Sequence, residues 1–450
     1  MKKLFGTDGI RGVANEHPMT PEMAVKIGRA GAFLFKGDKS RTKIIIGKDT
    51  RISGSMLECA LVSGICSVGA DAYRAEILPT PGVAFMTSST DAGAGIVISA
   101  SHNPFYDNGI KFFNGNGCKL SDEMEGEIEK LIEDENIISR CRSIRETGRV
   151  YEMGDAGSSY SDFLKHALPK DCSFQGLKVI IDCSNGATYR IAPAIFDNLG
   201  ADVESLFINP DGKNINENCG SQHPETLVEK VLEKGADLGL SFDGDGDRLL
   251  AVDEMGNVIS GDRILAVCAK AMQQKGTLKN NIVVSTVMSN MGLMVALKDL
   301  GIKHVMADVG DRYVLEKMIA SGAVLGGEDS GHMIFLDYHT TGDGILTGLR
   351  LLEIMREEAK PLSELCKVMT VFPQVLINVN VKTKPDIETV AGINDAIRSA
   401  EAQLGEKGRV LVRYSGTEPL CRIMVEGPSQ EETHQYCRRI ADVVREKLGA

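Results

Sequence analysis

The 450-residue sequence lacks C-x-x-C pairs, long apolar runs and an excess of positive charge. Its 11 cysteines, an odd number without that spacing, argue against a secreted disulfide framework and a zinc knuckle, and favour a reducing cytoplasm. A membrane span needs a run of about 18 apolar residues, which is absent, so we expect no transmembrane segment. The start, Met1–Phe5, briefly resembles a signal peptide, but Gly6, Thr7 and Asp8 end it before an apolar core.

The balance of charge is acidic: 50 Lys and Arg residues stand against 62 Asp and Glu residues, for a net charge of -12. Such a chain is not expected to bind nucleic acid or an anionic membrane surface. The chain can still bind an anionic substrate, provided that the positive charges that hold it are clustered locally.

Short apolar strands recur along the chain, each followed by a polar, glycine-rich loop and a helix-like stretch. They are predicted at 44–46, 96–98, 179–181, 238–240, 282–284 and 324–325. Continuous apolar strands alternating with helices indicate α/β units whose sheets are covered on both faces. In such units, ligands bind at the loops beyond the carboxyl ends of the strands.

The last part of the chain has a different pattern. The alternation in V-L-I-N-V-N-V at 375–381 predicts a half-exposed strand, and the order of elements after it predicts a smaller α+β domain with antiparallel strands. Length alone predicts two to four domains. A charged helix and linker at 121–149 and the strand pattern place boundaries near 153, 254 and 370. The predicted domains are 1–153, 154–254, 255–370 and 371–450.

The stretch I-V-I-S-A-S-H-N-P at 96–104 ends an apolar strand in an unusually polar cluster. Small neighbours leave Ser101 sterically open, His102 and Asn103 can hold or titrate a group on its oxygen, and Pro104 stiffens the exit. Ser101 is therefore a candidate covalent nucleophile. Taken alone, the loop slightly favours a polar turn whose side chains cap the backbone.

The loop D-G-D-G-D-R places Asp243, Asp245 and Asp247 at alternate positions. Three carboxylates this close repel one another unless a cation lies among them, and oxygen-only ligands indicate a hard ion such as Mg²⁺ or Ca²⁺. An EF-hand is rejected, because Arg248 stands where that loop needs glycine and the residues after it form a strand pattern. Arg248 is also placed to pair with an anion at the site.

Two further loops carry groups suited to a phosphorylated sugar. R-Y-S-G-T-E-P at 413–419 supplies arginine forks and a backbone nest for an anion, with Arg413, Ser415, Gly416, Thr417 and Arg422 as its candidate ligands. G-G-E-D-S-G-H at 326–332 places Glu328 and Ser330 on a flexible loop, where they can bind sugar hydroxyls. Each loop alone is also compatible with an ordinary polar turn.

Three residues, Arg11, Lys111 and His332, are candidates for acid–base chemistry or charge stabilisation, and Thr7 lies near the first of them. F-G-T-D-G-I-R-G at 5–12 brings Thr7 and Arg11 to a glycine-hinged turn, and Lys111 and His332 are further candidates. A lone lysine or histidine is more often structural, so the residues alone leave the assignment open.

Together and in this order, the four loops resemble those of the α-D-phosphohexomutase family over essentially the whole chain. The S-A-S-H-N-P loop resembles its phosphoserine loop and D-G-D-G-D-R its magnesium loop. G-G-E-D-S-G-H is similar to its sugar-binding loop, although Asp329 stands where Gln or Asn is more usual, and R-Y-S-G-T-E-P is similar to its phosphate-binding loop. The resemblance implies three related α/β domains with mixed sheets and a smaller C-terminal α+β domain around a central cleft.

Four other segments resemble the branch of this family that acts on an amino sugar phosphate; they lie at 5–12, 47–54, 214–221 and 309–314. The resemblance implies interconversion of glucosamine 6-phosphate and glucosamine 1-phosphate, through a phosphoserine at Ser101 and a 1,6-bisphosphate. It implies one Mg²⁺ per subunit, held by Ser101 and the three aspartates, and glucosamine or glucose 1,6-bisphosphate as activator. The resemblance also implies that a kinase or autophosphorylation first modifies Ser101. A homodimer is compatible with the resemblance.

Three alternatives remain open at this point. The chain acts on glucose or mannose phosphates instead, or it binds a phosphosugar without turning it over, or it is a phosphatase that releases phosphate from the serine. The presence of both Ser101 and the aspartates argues against a mere binding protein. In the family mechanism, no Ser-His-Asp triad is needed, so His102 is expected to position Ser101 rather than to act as a general base.

Overall fold

The computed structural model describes residues 4–6, 8–37, 41–134, 136–137, 146–415 and 419–450. The chain divides into two compact units. The first comprises Met1–Val287 and Lys303–Lys367, and the second comprises Met288–Ile302 and Val368–Ala450. Each helix in the described ranges is too short or too polar to cross a lipid bilayer.

The first sheet is mixed and has six strands. Its elements are β1 (Ile10–Val13), α1 (Pro21–Lys36), β2 (Lys43–Lys48), α2 (Gly54–Ser67), β3 (Asp71–Ile77), α3 (Thr80–Ser89), β4 (Ala94–Ile98), β5 (Asp107–Asn114), α4 (Asp122–Glu133) and β6 (Val150–Glu152). β2 is parallel to β3 and β4, whereas β5 is antiparallel to β4 and β1 to β5. β4 is buried along its whole length, as its apolar run predicts.

The second sheet repeats this plan with five strands in the order β11-β10-β9-β7-β8. Its elements are α5 (Ala156–His166), β7 (Lys178–Asp182), α6 (Ile191–Asn198), β8 (Asp202–Leu206), α7 (Glu225–Lys234), β9 (Leu238–Phe242), β10 (Leu249–Asp253) and β11 (Val258–Ile259). β7 is parallel to β8 and β9, and β10 returns antiparallel to β9. The aspartate loop is therefore the connection between two neighbouring strands.

The third sheet has the order β13-β12-β14-β15, with β15 antiparallel to β14. The elements of this part of the chain are α8 (Gly261–Gln274), β12 (Ile282–Thr286), α9 (Met291–Asp299), β13 (Lys303–Ala307), α10 (Asp311–Ser321), β14 (Leu325–Gly327), β15 (Met333–Phe335), α11 (Gly344–Glu358) and α12 (Leu362–Leu365). Helix α9 belongs to the second compact unit, and the four strands belong to the first.

The second unit is built on a three-stranded antiparallel sheet in the order β16-β18-β17. Its remaining elements are β16 (Gln374–Asn380), α13 (Ala391–Leu404), β17 (Arg409–Tyr414), β18 (Leu420–Glu426) and α14 (Gln430–Leu448). Ser429 caps α14. The helix has acidic residues in its first turn and basic residues in its last, and these charges interact favourably with the helix dipole. Helices pack on one face of this sheet, and the other face carries exposed side chains such as Leu376.

These four sheets confirm the predicted fold class: three α/β parts with mixed sheets and a smaller C-terminal α+β part. The charged stretch predicted as helix and linker begins with α4, while residues 135 and 138–145 lie outside the described residues. The boundaries predicted near 153, 254 and 370 stay predictions.

Replacing Ile423, which is fully buried at the centre of the C-terminal sheet, by Ala should destabilise the second unit. We expect a loss of about 2–5 kcal/mol in the free energy of unfolding, from lost burial and the cavity left behind. The matched control is Leu376→Ala, since Leu376 lies on the same sheet but is 49% exposed. Because the chain has no tryptophan, unfolding is followed by circular dichroism in urea. Equal losses in the two variants would contradict this assignment of the core.

Candidate active site

The aspartate loop between β9 and β10 is held rigidly from several sides. The amide of Thr80 donates to the carbonyl of Asp245 at 2.8 Å, and its hydroxyl donates to the Asp245 carboxylate at 2.7 Å. The amide of Ala187 donates to the carbonyl of Gly244 at 2.8 Å. A side chain at Gly244 has no room, because its Cβ would lie 2.6 Å from the carbonyl oxygen of Ser101. The glycine therefore permits the aspartate and serine loops to touch.

Asp243, Asp245 and Asp247 converge as the sequence predicts. One carboxylate oxygen from each lies within 4.8 Å of the others, and all three residues are buried. Burial and the charges of Asp247 and Asp245 raise the pKa of Asp243 well above its ordinary value. Burial also acts to raise the pKa of Asp247, but Lys111 and His332 outweigh it and lower that pKa.

This donor set fits a hard divalent cation. Oδ1 of Asp245 and Oδ1 of Asp247 are buried and accept no hydrogen bond from a described residue. Buried acceptors without partners are costly, and a cation coordinated by these oxygens would satisfy them. It would also allow Asp243 to ionise beside its neighbours. β10 follows the loop directly, and Glu254 contacts Ser363 instead of closing a calcium loop, so the EF-hand stays rejected.

Ser101 meets this cluster from the loop after β4. Its Oγ donates to Oδ2 of Asp243 at 2.5 Å, and its backbone has a left-handed φ of 52°. A non-glycine residue in this conformation is costly, and such residues concentrate at functional sites. The side chain is buried rather than open as the small neighbours suggested, because Asp243 and the surrounding loops cover it.

His102 and Arg248 lie beside the serine. Nδ1 of His102 is 3.4 Å from the Ser101 Oγ, and Arg248 donates to the same nitrogen at 3.4 Å. Burial, followed by the positive charges of Arg248 and Arg11, lowers the pKa of His102 to about 4. The ring is therefore neutral at pH 7. The backbone amide of Arg248 also donates to the Asp243 carboxylate at 3.2 Å, which fixes the arginine against the first aspartate of the loop.

A continuous series of alternating charges surrounds the aspartates. The ammonium of Lys111 lies 2.8 Å from Asp245 and 2.9 Å from Asp8, and the second oxygen of Asp8 contacts Lys119. Lys119 then contacts Asp311. Although burial opposes it, the charge of Asp245, with those of Asp8 and Asp247, raises the pKa of Lys111, so that the ammonium stays protonated. Arg11 also pairs with Asp8.

His332 completes this series. Its Nε2 lies 3.5 Å from Asp311 and its Nδ1 lies 3.6 Å from Asp247. The amide of Gly342 donates to Nε2 at 2.9 Å, so Nδ1 carries the proton in the neutral ring. Burial disfavours the charged ring, but Asp247 and Asp311 outweigh it and raise the pKa of His332. The structure thus brings Arg11, Lys111 and His332 into one cluster with the aspartates.

The predicted sugar loop is a tight hairpin between β14 and β15, not a flexible loop. The amide of Glu328 donates to the carbonyl of His332, and that of Gly331 donates to the carbonyl of Glu328, both at 3.0 Å. The Glu328 carboxylate accepts from the amide of Gly310 at 3.2 Å, and burial raises its pKa. Ser330 is exposed. Asp329 accepts from the amide of Asp262 at 3.2 Å, so its side chain caps the start of α8.

The predicted phosphate loop lies in the second unit, where it connects β17 and β18. Arg413 and Arg422 are directly opposite each other on these antiparallel strands, and burial followed by the charge of Arg422 lowers the pKa of Arg413. Like charges in this arrangement destabilise a sheet, which an anion bound there would relieve. Ser415 is buried, and Lys384 donates to its carbonyl at 2.6 Å. Thr7, Gly416 and Thr417 lie outside the described residues.

Sequence reasoning missed several side chains of this site. Within the first unit they are Asp8, Lys119 and Asp311 in the charge series, Thr80 on the aspartate loop, and Arg51 and Asn216 on the serine loop. Four of the six fall in the segments at 5–12, 47–54, 214–221 and 309–314, whose resemblance to one family branch was the available signal. Lys119 and Thr80 have no such signal.

Comparison with known proteins identifies the class. Family models of phosphoglucomutase/phosphomannomutase match four successive stretches: alpha/beta/alpha domain I at residues 2–137, domain II at 158–256, domain III at 260–372 and the C-terminal domain at 376–443. The chain belongs to the phosphoglucomutase/phosphomannomutase family. Its resemblance to the α-D-phosphohexomutases is thereby confirmed.

Individual relatives indicate which members of this family the chain is similar to. The chain is 60% identical to the phosphoglucosamine mutase of Syntrophus aciditrophicus and 57% identical to that of Syntrophobacter fumaroxidans, over 100% of each chain. Among solved structures, a phosphoglucomutase/phosphomannomutase family protein from Burkholderia thailandensis is 26% identical, covers 100% of both chains and has a TM-score of 0.83. Aspergillus fumigatus N-acetylphosphoglucosamine mutase, solved with GlcNAc-6P and magnesium, shares the fold at 18% identity, covering 98% of this chain and 95% of that chain, with a TM-score of 0.69.

Replacing Asp245 by Asn should weaken binding of a divalent cation by at least about tenfold, because one of three charged oxygen ligands is lost. Mn²⁺ titration followed by electron paramagnetic resonance measures this directly and needs no substrate. Asp155→Asn, which alters an exposed carboxylate at the start of α5, is the matched control and should leave binding unchanged. Equal Mn²⁺ affinity in the Asp245 variant and the parent protein would remove the cation site from the aspartate loop.

Proposed function

We propose that the chain interconverts glucosamine 6-phosphate and glucosamine 1-phosphate, and so supplies UDP-N-acetylglucosamine and cell-wall precursor synthesis. The observation that carries the proposal is the 2.5 Å contact between the Ser101 Oγ and Asp243, within a buried cluster of three carboxylates. A serine in that place is suited to carry a phosphoryl group beside a cation. The full-length similarity to phosphoglucosamine mutases supports an amino sugar as the substrate.

In the proposed reaction, Ser101 carries a phosphoryl group that adds about -1.5 to -2 charges at neutral pH. The bond between phosphorus and the serine Oγ breaks as a bond forms to O1 of glucosamine 6-phosphate, and the O1 proton passes to a base. The resulting 1,6-bisphosphate turns over within the site. Oγ then takes the phosphoryl group from O6, O6 regains a proton, and glucosamine 1-phosphate leaves.

One Mg²⁺ per subunit is proposed at Asp243, Asp245 and Asp247, with phosphorylated Ser101 as a further ligand. Such an ion would offset the phosphoryl charge and polarise the phosphorus. Lys111 adds a permanent positive charge 2.8 Å from Asp245. Proton transfer and charge stabilisation are assigned to the group of Arg11, Lys111 and His332. The neutral His102 orients Ser101 rather than acting as its base.

The remaining predicted residues bind the substrate in this proposal. Glu328 and Ser330 on the hairpin bind sugar hydroxyls, and Thr7 and Arg248 bind near the reacting phosphate. The phosphate that does not react is held by Arg413, Ser415, Gly416, Thr417 and Arg422. Glucosamine or glucose 1,6-bisphosphate serves as activator, and either autophosphorylation or a kinase first modifies Ser101. The proposed enzyme has the four predicted domains, forms a homodimer and lies in the cytoplasm.

Intact-mass measurement tests the central step. Incubation with glucose 1,6-bisphosphate and Mg²⁺ should add one phosphoryl group to the protein, and Ser101→Ala should both prevent this addition and abolish interconversion of the glucosamine phosphates. The control is Ser158→Ala, which changes an exposed serine on α5 and should keep both properties. Full activity in the Ser101 variant would exclude a phosphoserine mechanism.

The choice of sugar is tested by kcat/KM for glucosamine, glucose and mannose 6-phosphates, since specificity is the ratio of these values. We expect the highest value for glucosamine 6-phosphate. A higher value for glucose or mannose phosphate would instead assign the chain to a phosphoglucomutase or phosphomannomutase activity. Net release of inorganic phosphate at a rate matching turnover would indicate a phosphatase.

A further inference from the structure

The carbonyl oxygens of the serine loop converge on one buried side chain. The guanidinium of Arg51 donates to the carbonyls of Ser101 at 2.9 Å, Asn103 at 2.7 Å and Asp107 at 3.0 Å, and it also contacts the carbonyl of Pro104. Its Nε donates to the Asp49 carboxylate at 2.8 Å. All five N–H groups that a guanidinium offers thus face acceptors, and no other side chain has as many donors.

The position of Arg51 is itself fixed. Asp49 and Arg51 both have side chains that are 0% exposed, and the Asp49 carboxylate also accepts from the hydroxyl of Ser99 at 2.6 Å. That hydroxyl in turn accepts from the amide of Ser101 at 2.9 Å. The serine loop is therefore held on its amide side through Asp49 and on its carbonyl side by Arg51.

A second side chain reaches the same carbonyls from the connection between β8 and α7 in the second α/β part. The amide nitrogen Nδ2 of Asn216 donates to Ser101 at 2.8 Å and to Asn103 at 3.0 Å. Asn216 is held by its own backbone amide, which donates to the carbonyl of Ser184 at 2.9 Å. Its φ of 58° is one that asparagine tolerates better than most residues.

We propose that Arg51 and Asn216 form a clamp on the carbonyl oxygens of Ser101 and Asn103, which holds residue 101 in its left-handed conformation and so fixes the Ser101 Oγ against the aspartate loop. Both are positioning residues, because they contact the loop backbone and not the reacting atoms. The clamp offsets the conformational cost of the left-handed serine with the charge-assisted hydrogen bonds of Arg51 and the neutral ones of Asn216. The proposal rests on the proposed function in that the fixed Oγ is the phosphoryl carrier.

The test compares two pairs of variants. Asn216→Gly removes the amide but keeps a residue that accepts the positive φ, and its matched control is Asn218→Gly, which changes an exposed asparagine with a φ of 52° in the same segment. Arg51→Lys keeps the charge beside Asp49 but has fewer donors. Its control is Arg350→Lys, since Arg350 pairs with Glu353 at 2.6 Å and does not contact the serine loop.

Hydrogen exchange of the amides at 99–108, measured by mass spectrometry, reports the clamp without any need for activity. We expect faster exchange there in Asn216→Gly and Arg51→Lys, with both controls unchanged. We also expect kcat, and the rate of Ser101 phosphorylation by glucose 1,6-bisphosphate, to fall by about 10- to 100-fold as the nucleophile loses its alignment. KM for the sugar phosphate should stay within about threefold, because the clamp leaves the sugar hairpin untouched.

Unchanged exchange at 99–108 in both clamp variants would overturn the proposal, and so would an equal effect in the Asn218 control. Unchanged kcat in folded Asn216→Gly and Arg51→Lys proteins would overturn it as well. If the parent protein is neither phosphorylated nor active, the proposed function fails, while the exchange experiment still decides whether the clamp exists.

Discussion

The first unit depends on one electrostatic constraint: three carboxylates are buried together at the end of a strand. Removing ionised groups from water costs several kcal/mol each unless opposite charges compensate. Positive charge must therefore reach the aspartate loop from the surrounding elements. The first α/β part supplies it through Lys111, 2.8 Å from Asp245, with Arg11 nearby on Asp8, and the third contributes the His332 ring, 3.6 Å from Asp247. Asp8 and Asp311 then hold the cations in place, and Lys119 joins those two carboxylates.

This constraint explains why segments that are distant in the sequence converge. The strands that precede the serine and aspartate loops end at the same place, where parallel strands present their loops to ligands. The segments at 5–12 and 309–314 contribute the carboxylates that hold the lysines, and the segments at 47–54 and 214–221 contribute the contacts on the serine loop. Segments that resemble one branch of the family thus contact the serine and aspartate loops, or the lysines beside them, from elsewhere in the sequence.

The sequence predicts what periodicity and local clustering encode. The buried strands β2, β4, β7, β9 and β12, the alternating β16 and the aspartate cluster all follow from short-range patterns. The contacts of Arg51 do not follow from such patterns, because the residues next to an arginine in the sequence do not indicate which carbonyl groups it will bind. Lys119 reaches Asp8 across 111 residues, a pairing that only the tertiary fold creates. The open position predicted for Ser101 was wrong because side-chain size says nothing about the loops that cover it.

The first and second α/β parts both contact the serine loop, so their assembly determines when the site is completed. Ser101 depends on Arg51, Asn216 and Asp243, which lie 50, 115 and 142 residues away along the chain. Contacts at such separations require long loops to close, and their formation waits until the elements that carry them have docked. A partly folded chain therefore contains the serine but not its surroundings. The buried position of Ser101 beside Asp243 is therefore a property of the assembled first and second α/β parts, and it distinguishes a fully folded molecule from one that has only its secondary structure.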